Sequence, residues 1–166
     1  MARIESLSPG QTHHIRDSCL CLHVQRAARV VARRFDDALR PFGLTNGQFS
    51  LLVSLNRPQP ASMSAVAFLL AVDRTTLTAN LKPLERRGLL RVAPDRIDRR
   101  NRLIALTPKG RRLIRAAFPV WKDTHDAQER LLTSASRLRA DLLALGQKSP
   151  VLIMSENGQT ARPVAR

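Results

Sequence analysis

Cysteine is scarce in this sequence: only Cys19 and Cys21 occur among 166 residues. Two are too few for a disulfide framework. Placed two positions apart, they point to different sides of a helix and are poorly set to bridge each other. Tyrosine is absent altogether. No long hydrophobic run occurs either. The longest apolar stretch, residues 65–72, is far shorter than the roughly 18 residues a membrane span needs, so no membrane partner is expected. His13, His14 and Arg16 stand where a signal peptide would carry apolar residues, which makes the cytoplasm the expected compartment. The chain has no Ser–His–Asp pattern, no glycine-rich phosphate loop and no HExxH motif. No enzyme activity, catalytic residue or cofactor is therefore expected. Asp123, His125 and Asp126 do not fall on one helical face, so no metal site is expected.

Acidic residues are also few, at 13 against 28 lysines and arginines, for a net charge of +15. The excess is concentrated. From Lys82 to Arg115 there are twelve bases and only three acids, Glu85, Asp95 and Asp98. Charge packed in this way is a footprint for a polyanion. The bland alternative is a solvated, merely soluble face.

The segment VDRTTLTANLKPLERRGLLRVAPDRIDRRNRLIAL, residues 72–106, gives that charge a shape. Asp73 can cap a helix. Leu77, Leu81 and Leu84 then form one buried stripe. The opposite face carries Arg74, Thr75, Thr76, Thr78, Asn80 and Lys82, side chains that reach phosphates and base edges. Gly88 ends the helix. Residues 89–92 and 102–106 read as strands around a charged turn. A helix beside a cationic ribbon can touch two grooves of one DNA duplex.

Upstream, residues 1–15 show no clear period and read as a mobile arm. A helix is expected over residues 18–40, with Leu20, Val24, Ala27, Val31, Phe35 and Leu39 as its stripe. Pro41–Phe42–Gly43 breaks it. Thr45 and Gln48 form a capping box for a second helix through Leu55. Residues 56–61 are expected to be a loop. Ser62 or Ser64 caps a third helix, which turns at Ala71–Val72 into the one at Asp73. Two short helices joined by a tight turn make a helix-turn-helix. Downstream, Thr107–Pro108 starts a helix that Pro119 is expected to kink. A further helix is expected over residues 127–145. The Pro-, Gly-, Ser- and Asn-rich residues 147–166 read as a flexible tail, with residues 151–154 docking back.

The predicted fold is mainly α (α+β): a winged helix-turn-helix with a helical dimerisation region drawn from both chain ends. Residues 45–107 form the DNA-binding domain, and residues 16–44 and 108–146 the dimerisation region. The terminal stripes have few partners inside one small domain, and a second copy of the chain would bury them. Such a homodimer sets two recognition helices about one DNA turn, roughly 34–36 Å, apart on a pseudo-palindromic duplex operator.

Over residues 19–145 the chain resembles the MarR family of transcriptional regulators. GLTNGQFSLL, VDRTTLTANLKPLERRGLL and DRIDRRNRLIALTPKG carry the likeness. The resemblance implies a homodimer that binds an operator and often releases it when a small molecule binds. By position, Arg74, Thr75, Thr76 and Thr78 match recognition-helix contacts, and Arg96 and Arg99 match the wing. Arg100 either contacts DNA from the wing or pairs with Asp73 or Asp98. The family often has glycine where this chain has Ala71, so a tighter or shifted turn is expected. Pro83 is expected to bend the end of the recognition helix away from DNA, leaving Lys82 for phosphate. The family's effector pocket lies between the dimer helices and the DNA-binding lobe. There His23, Arg26, Arg29, Phe49 and Trp121 would suit an aromatic carboxylate or related anion. Cys19 is placed like the thiol of the family's hydroperoxide-sensing branch, but the tyrosines that support that thiol are missing here. A redox-sensing regulator and a winged-helix RNA-binding or assembly protein remain the alternatives. The Thr- and Asn-bearing helix face favours base readout over the latter.

Overall fold

Side-chain caps set most of the helix starts. The computed structural model describes residues 6–146. Residues 1–5 of the expected arm and the whole expected tail, residues 147–166, lie outside the described residues. Two compact units meet at the Gln128–Glu129 bond.

In the first unit, α1 spans Pro9–Ser18 and α2 spans Leu20–Leu39. The first of these corrects the reading of residues 9–15 as an aperiodic arm. Ser8 and Gln11 form a reciprocal capping box and Pro9 opens the first turn, so local chemistry starts a helix that no apolar period announces. Cys19, the residue between the two helices, has extended backbone and caps α2, its Sγ accepting from the Leu22 amide at 3.5 Å. It therefore sits before the helix rather than on one of its faces.

After a single 3₁₀ turn, Arg40–Phe42, Gly43 takes φ 63° and reverses the chain. The capping box at Thr45 and Gln48 starts α3, Asn46–Ser54, as expected. Asp36 of α2 also accepts from the Asn46 amide at 2.6 Å, tying α3 to α2. The expected loop before the next helix ends in a two-residue strand, β1, Ala61–Ser62, which pairs with Ile104 and Leu103. A strand this short has no alternation to read. Ser62 caps α4, Met63–Leu69.

Ala71 is the one described non-glycine residue at positive φ, at 51°. The turn is neither tightened nor shifted, contrary to expectation. Alanine takes the left-handed geometry, at a cost of about 1 kcal/mol, and the Val72 amide reaches back to the Ala67 carbonyl at 3.0 Å. Then follow α5, Arg74–Arg86, β2, Leu90–Pro94, β3, Arg102–Leu106, and α6, Pro108–Glu129. The sheet is antiparallel in the order β1-β3-β2, with Leu90 opposite Leu106 and Pro94 opposite Arg102. Helix α5 continues through Pro83, and α6 through Pro119.

Leu39, Leu52, Val66, Leu84 and Ile104 are completely buried and join α2, α3, α4, α5 and the sheet in one core. The α2 stripe reaches that core only at its C-terminal end. Phe35 and Leu39 are buried, whereas Leu20, Val24 and Val31 are exposed.

The second unit holds α7, Ala135–Gly146. The single helix expected over residues 127–145 is in fact broken: α6 stops at Glu129 and a turn precedes α7. Ser134 interrupts the period by capping the new helix, its Oγ accepting from the Arg137 amide at 3.3 Å. Arg139 pairs with Glu129. Leu138, Leu142, Leu143 and Leu145 are all exposed.

Candidate nucleic-acid interface

The exposed face of α5 begins at its cap. Asp73 accepts from the Thr76 amide at 2.7 Å and from the Thr76 hydroxyl at 2.8 Å. These two bonds, the amide's first, hold the Asp73 carboxyl below its ordinary pKa. Thr78 donates its hydroxyl to the Arg74 carbonyl at 2.7 Å. Both threonine hydroxyls have thus given up their proton within the helix. Both residues are exposed, and each oxygen keeps acceptor lone pairs beside a methyl group. Arg74, Thr75, Asn80 and Lys82 are also exposed. All six side chains expected on this face lie there.

A depressed carboxyl pKa fixes a pH dependence. The Asp73 contribution to α5 is complete above the ordinary carboxylate value and is lost as pH falls through the lower folded value. In a ¹³C titration Asp73 is expected to ionise below a peptide carboxylate. Thr76→Val removes the hydroxyl bond and should move that midpoint up. An unchanged midpoint would mean the hydroxyl bond does not form in solution.

The wing tip is folded by its two acids. Asp95 accepts from the Ile97 amide at 2.9 Å. Asp98 accepts from the Arg100 amide at 3.0 Å and from Asn101 Nδ2 at 3.1 Å. Backbone bonds Asp95 to Asn101 and Asn101 to Asp98, each 2.9 Å, close the turn. The carboxylates therefore organise amides, and Arg96, Arg99 and Arg100 are left exposed. Among the described residues no ion pair joins Arg100 to Asp73 or Asp98. Arg91 and Arg102, counted before only among the twelve bases, extend the cationic surface along the strands. One further residue escaped the sequence reading: Ile97 stands 97% exposed between the wing arginines. The signal for Ile97 was a lone apolar residue in a charged turn.

Helix and wing are joined by side-chain ties. Glu85 accepts from the Val92 amide at 3.0 Å. Thr107 Oγ1 lies 2.7 Å from the Gly88 carbonyl and 3.0 Å from that of Leu89, and accepts from the Gly110 amide at 3.1 Å. The end of α5, the base of the wing and the start of α6 thus share one polar joint.

Of the expected effector residues, Phe49 and Trp121 are brought together and His23, Arg26 and Arg29 are not. Phe49 is buried and lines a cleft of about 500 Å³ with Val53, Asn56, Arg111, Ile114, Arg115 and Phe118. Trp121 stacks on Phe49 with ring centres 6.2 Å apart, and on His125 at 4.9 Å. His23, Arg26 and Arg29 are exposed on α2 and do not line this cleft. His23 Nδ1 is 2.9 Å from the Cys19 carbonyl, and Arg29 donates to Gln25 at 3.3 Å. The cations at the cleft are Arg111 and Arg115 of α6, which the sequence reading had counted only as bulk charge.

Residues 44–101, from the start of α3 to the wing, match the family model described as "MarR family". A crystal structure of the Mycobacterium tuberculosis transcriptional regulator MosR in complex with DNA is 40% identical. It aligns over 78% of this chain and 95% of MosR, with a TM-score of 0.73. The chain belongs to the MarR family. That is a family of transcriptional regulators rather than enzymes, and the winged helix-turn-helix described above is its fold. The regulator TtmR of Methylorubrum extorquens is 39% identical over 97 residues, or 58% of this chain. The chain spans about half the length of that curated relative, 50% of it. CouR of Rhodococcus jostii, solved bound to p-coumaroyl-CoA, is 27% identical over 81% of this chain and 96% of CouR, with a TM-score of 0.71. No helix among the described residues is long and apolar enough to cross a membrane.

Proposed function

We propose that this MarR-family chain binds a pseudo-palindromic duplex operator as a homodimer, represses transcription there, and leaves the DNA when a small aromatic anion binds. The observation that carries the DNA reading is the wing tip. Its two acids are tied to backbone amides, so among the described residues three exposed arginines stand without an ion-pair partner beside an exposed polar helix face. DNA in the MosR crystals supports it. The dimer is supported by Leu20, Val24 and Val31 of α2 and by Phe118 of α6, large apolar side chains exposed in the single chain. The effector reading rests on the Phe49–Phe118 cleft. Aromatic and aliphatic walls with Arg111 and Arg115 at hand suit a flat body bearing a carboxylate, and CouR binds an aromatic acyl thioester.

Selection of bound fragments from random duplex DNA tests the reading. Enrichment of an inverted repeat with half-site centres about 10 base pairs apart is expected for a two-fold dimer. Enrichment of a single half-site, or of none, would sink it.

Cys19 is not required for release in this reading. Serine caps a helix at least as well as cysteine, so Cys19→Ser should keep α2 and the operator affinity intact. Peroxide should dissociate both forms or neither. A peroxide response lost only in the mutant would promote the redox alternative.

A further inference from the structure

A second cleft, of about 390 Å³, opens beside the polar joint between α5, β2 and α6. Arg87, Leu89, Lys109, Arg112 and Leu113 line it. Three of these five side chains are cations and none is an acid. None of the three takes part in an ion pair among the described residues. Arg87 donates to the Gly43 carbonyl at 2.6 Å and to the Phe42 carbonyl at 3.2 Å. Lys109 donates to the Arg87 carbonyl at 2.8 Å. Neutral carbonyls leave the positive charge uncancelled. The site therefore concentrates like charge around a hollow, and one anion would relieve all three groups. Leu113, half-buried, and Leu89, buried, supply an apolar wall.

We propose that this cleft binds a small organic anion of the phosphate monoester class. A dianionic head suits a lining with three cationic side chains, and a planar guanidinium matches phosphate oxygens in pairs. The body of the ligand lies on Leu113. The volume is at the lower end of small-molecule sites, which run from about 300 to 1,000 Å³. Arg87 and Lys109 also tie the end of α5 to the α2–α3 turn and to α6. A bound phosphate would draw on the same donors that hold the recognition helix in place.

Calorimetry on the full chain without DNA tests this independently of any operator. The probe is phenyl phosphate, with phenol and inorganic phosphate for comparison. One Arg112-dependent phenyl phosphate per chain is expected at millimolar concentrations, with phenol silent and inorganic phosphate weaker. The Arg112 side chain makes no hydrogen bond among the described residues, so Arg112→Gln leaves the ties intact. It should weaken binding by about tenfold, the loss of one charge-assisted contact. Arg115→Gln, in the cleft proposed above for an aromatic anion, removes any equivalent bound there but should change the Arg112-dependent one by less than a factor of about two. Unaltered binding to Arg112→Gln overturns the proposal. So does loss of binding with Arg115→Gln instead, or inorganic phosphate binding as well as phenyl phosphate. If phenyl phosphate does not bind but Arg112→Gln flattens the salt dependence of DNA binding, the cleft faces the DNA backbone and the proposal fails.

Discussion

Gly110→Ala is expected to destabilise the fold by roughly 3 kcal/mol, the upper end of the cost of overpacking a core. Gly110 lies in the first turn of α6 and is buried. A β-carbon there would stand 2.1 Å from the Leu89 carbonyl oxygen and 2.7 Å from Leu106 Cδ1. Leucine Cδ1 can swing aside, but the backbone oxygen cannot move without disturbing the joint at Thr107. That joint holds the Gly88 and Leu89 carbonyls. The loss is a large share of the 5–15 kcal/mol that typically separates folded from unfolded chains. Gly47→Ala is the control. Gly47 lies in α3, nothing comes within 4 Å of its added β-carbon, and alanine there should stabilise by about 0.5–1 kcal/mol. Urea unfolding of the three proteins decides the matter. A Gly110→Ala midpoint equal to wild type would mean that α6 is not seated on Leu89 as described.

The sequence was most readable where a side chain and a backbone amide three residues away settle a boundary. The capping boxes and oxygen caps at Thr45, Ser62 and Asp73 are of this kind, and each starts the helix it announces. The buried stripe Leu77, Leu81, Leu84 was equally plain. What escaped had other causes. Helix α1 has a strong local start but buries nothing, so no apolar period accompanies it. The break before α7 lies inside a leucine-rich stretch whose period hides the cap at Ser134. Strand β1 exists only because β3 supplies partners distant in sequence. The clefts were the least legible part. Arg111, Arg112 and Arg115 read as one undifferentiated charge run, and only the folded chain sends Arg112 to one hollow and its neighbours to another. The effector residues chosen from α2 do not line the Phe49–Phe118 cleft of the single chain, because helical spacing fixes a face but not what the face meets. The recognition-helix threonines add a chemical point that composition conceals. Their hydroxyl protons are committed to Asp73 and to the Arg74 carbonyl, so they can offer DNA oxygen lone pairs and methyl groups but no ready donor.

Replacing Arg96, Arg99 and Arg100 together by alanine is expected to have the largest effect on DNA binding. The wing turn is closed by Asp95, Asp98 and backbone bonds, none of which uses an arginine side chain, so the ribbon should keep its shape. If each arginine neutralises one phosphate, a dimer loses six contacts, and the slope of log affinity against log salt falls by roughly 5. At moderate salt the affinity itself should drop on the order of a thousand-fold or more, for operator and scrambled duplex alike. Arg96→Ala alone should change the slope by roughly 2 per dimer. Thr76→Val is expected to behave differently. It keeps the β-branch and the charge but loses the hydroxyl oxygen, so the salt slope should hold while the ratio of specific to non-specific affinity falls. The cost is about 1–3 kcal/mol if that oxygen meets a base edge. Because the same change also loosens the Asp73 cap, its effect on DNA must be compared with the melting of α5 followed by hydrogen exchange. A loss confined to the operator, with exchange unchanged, identifies base readout. A loss shared by both duplexes identifies a frayed helix start instead. Salt titrations on the two duplexes separate charge from readout. If the triple wing variant alters neither affinity nor slope, the hairpin does not touch DNA, and its arginines are only a solvated basic face.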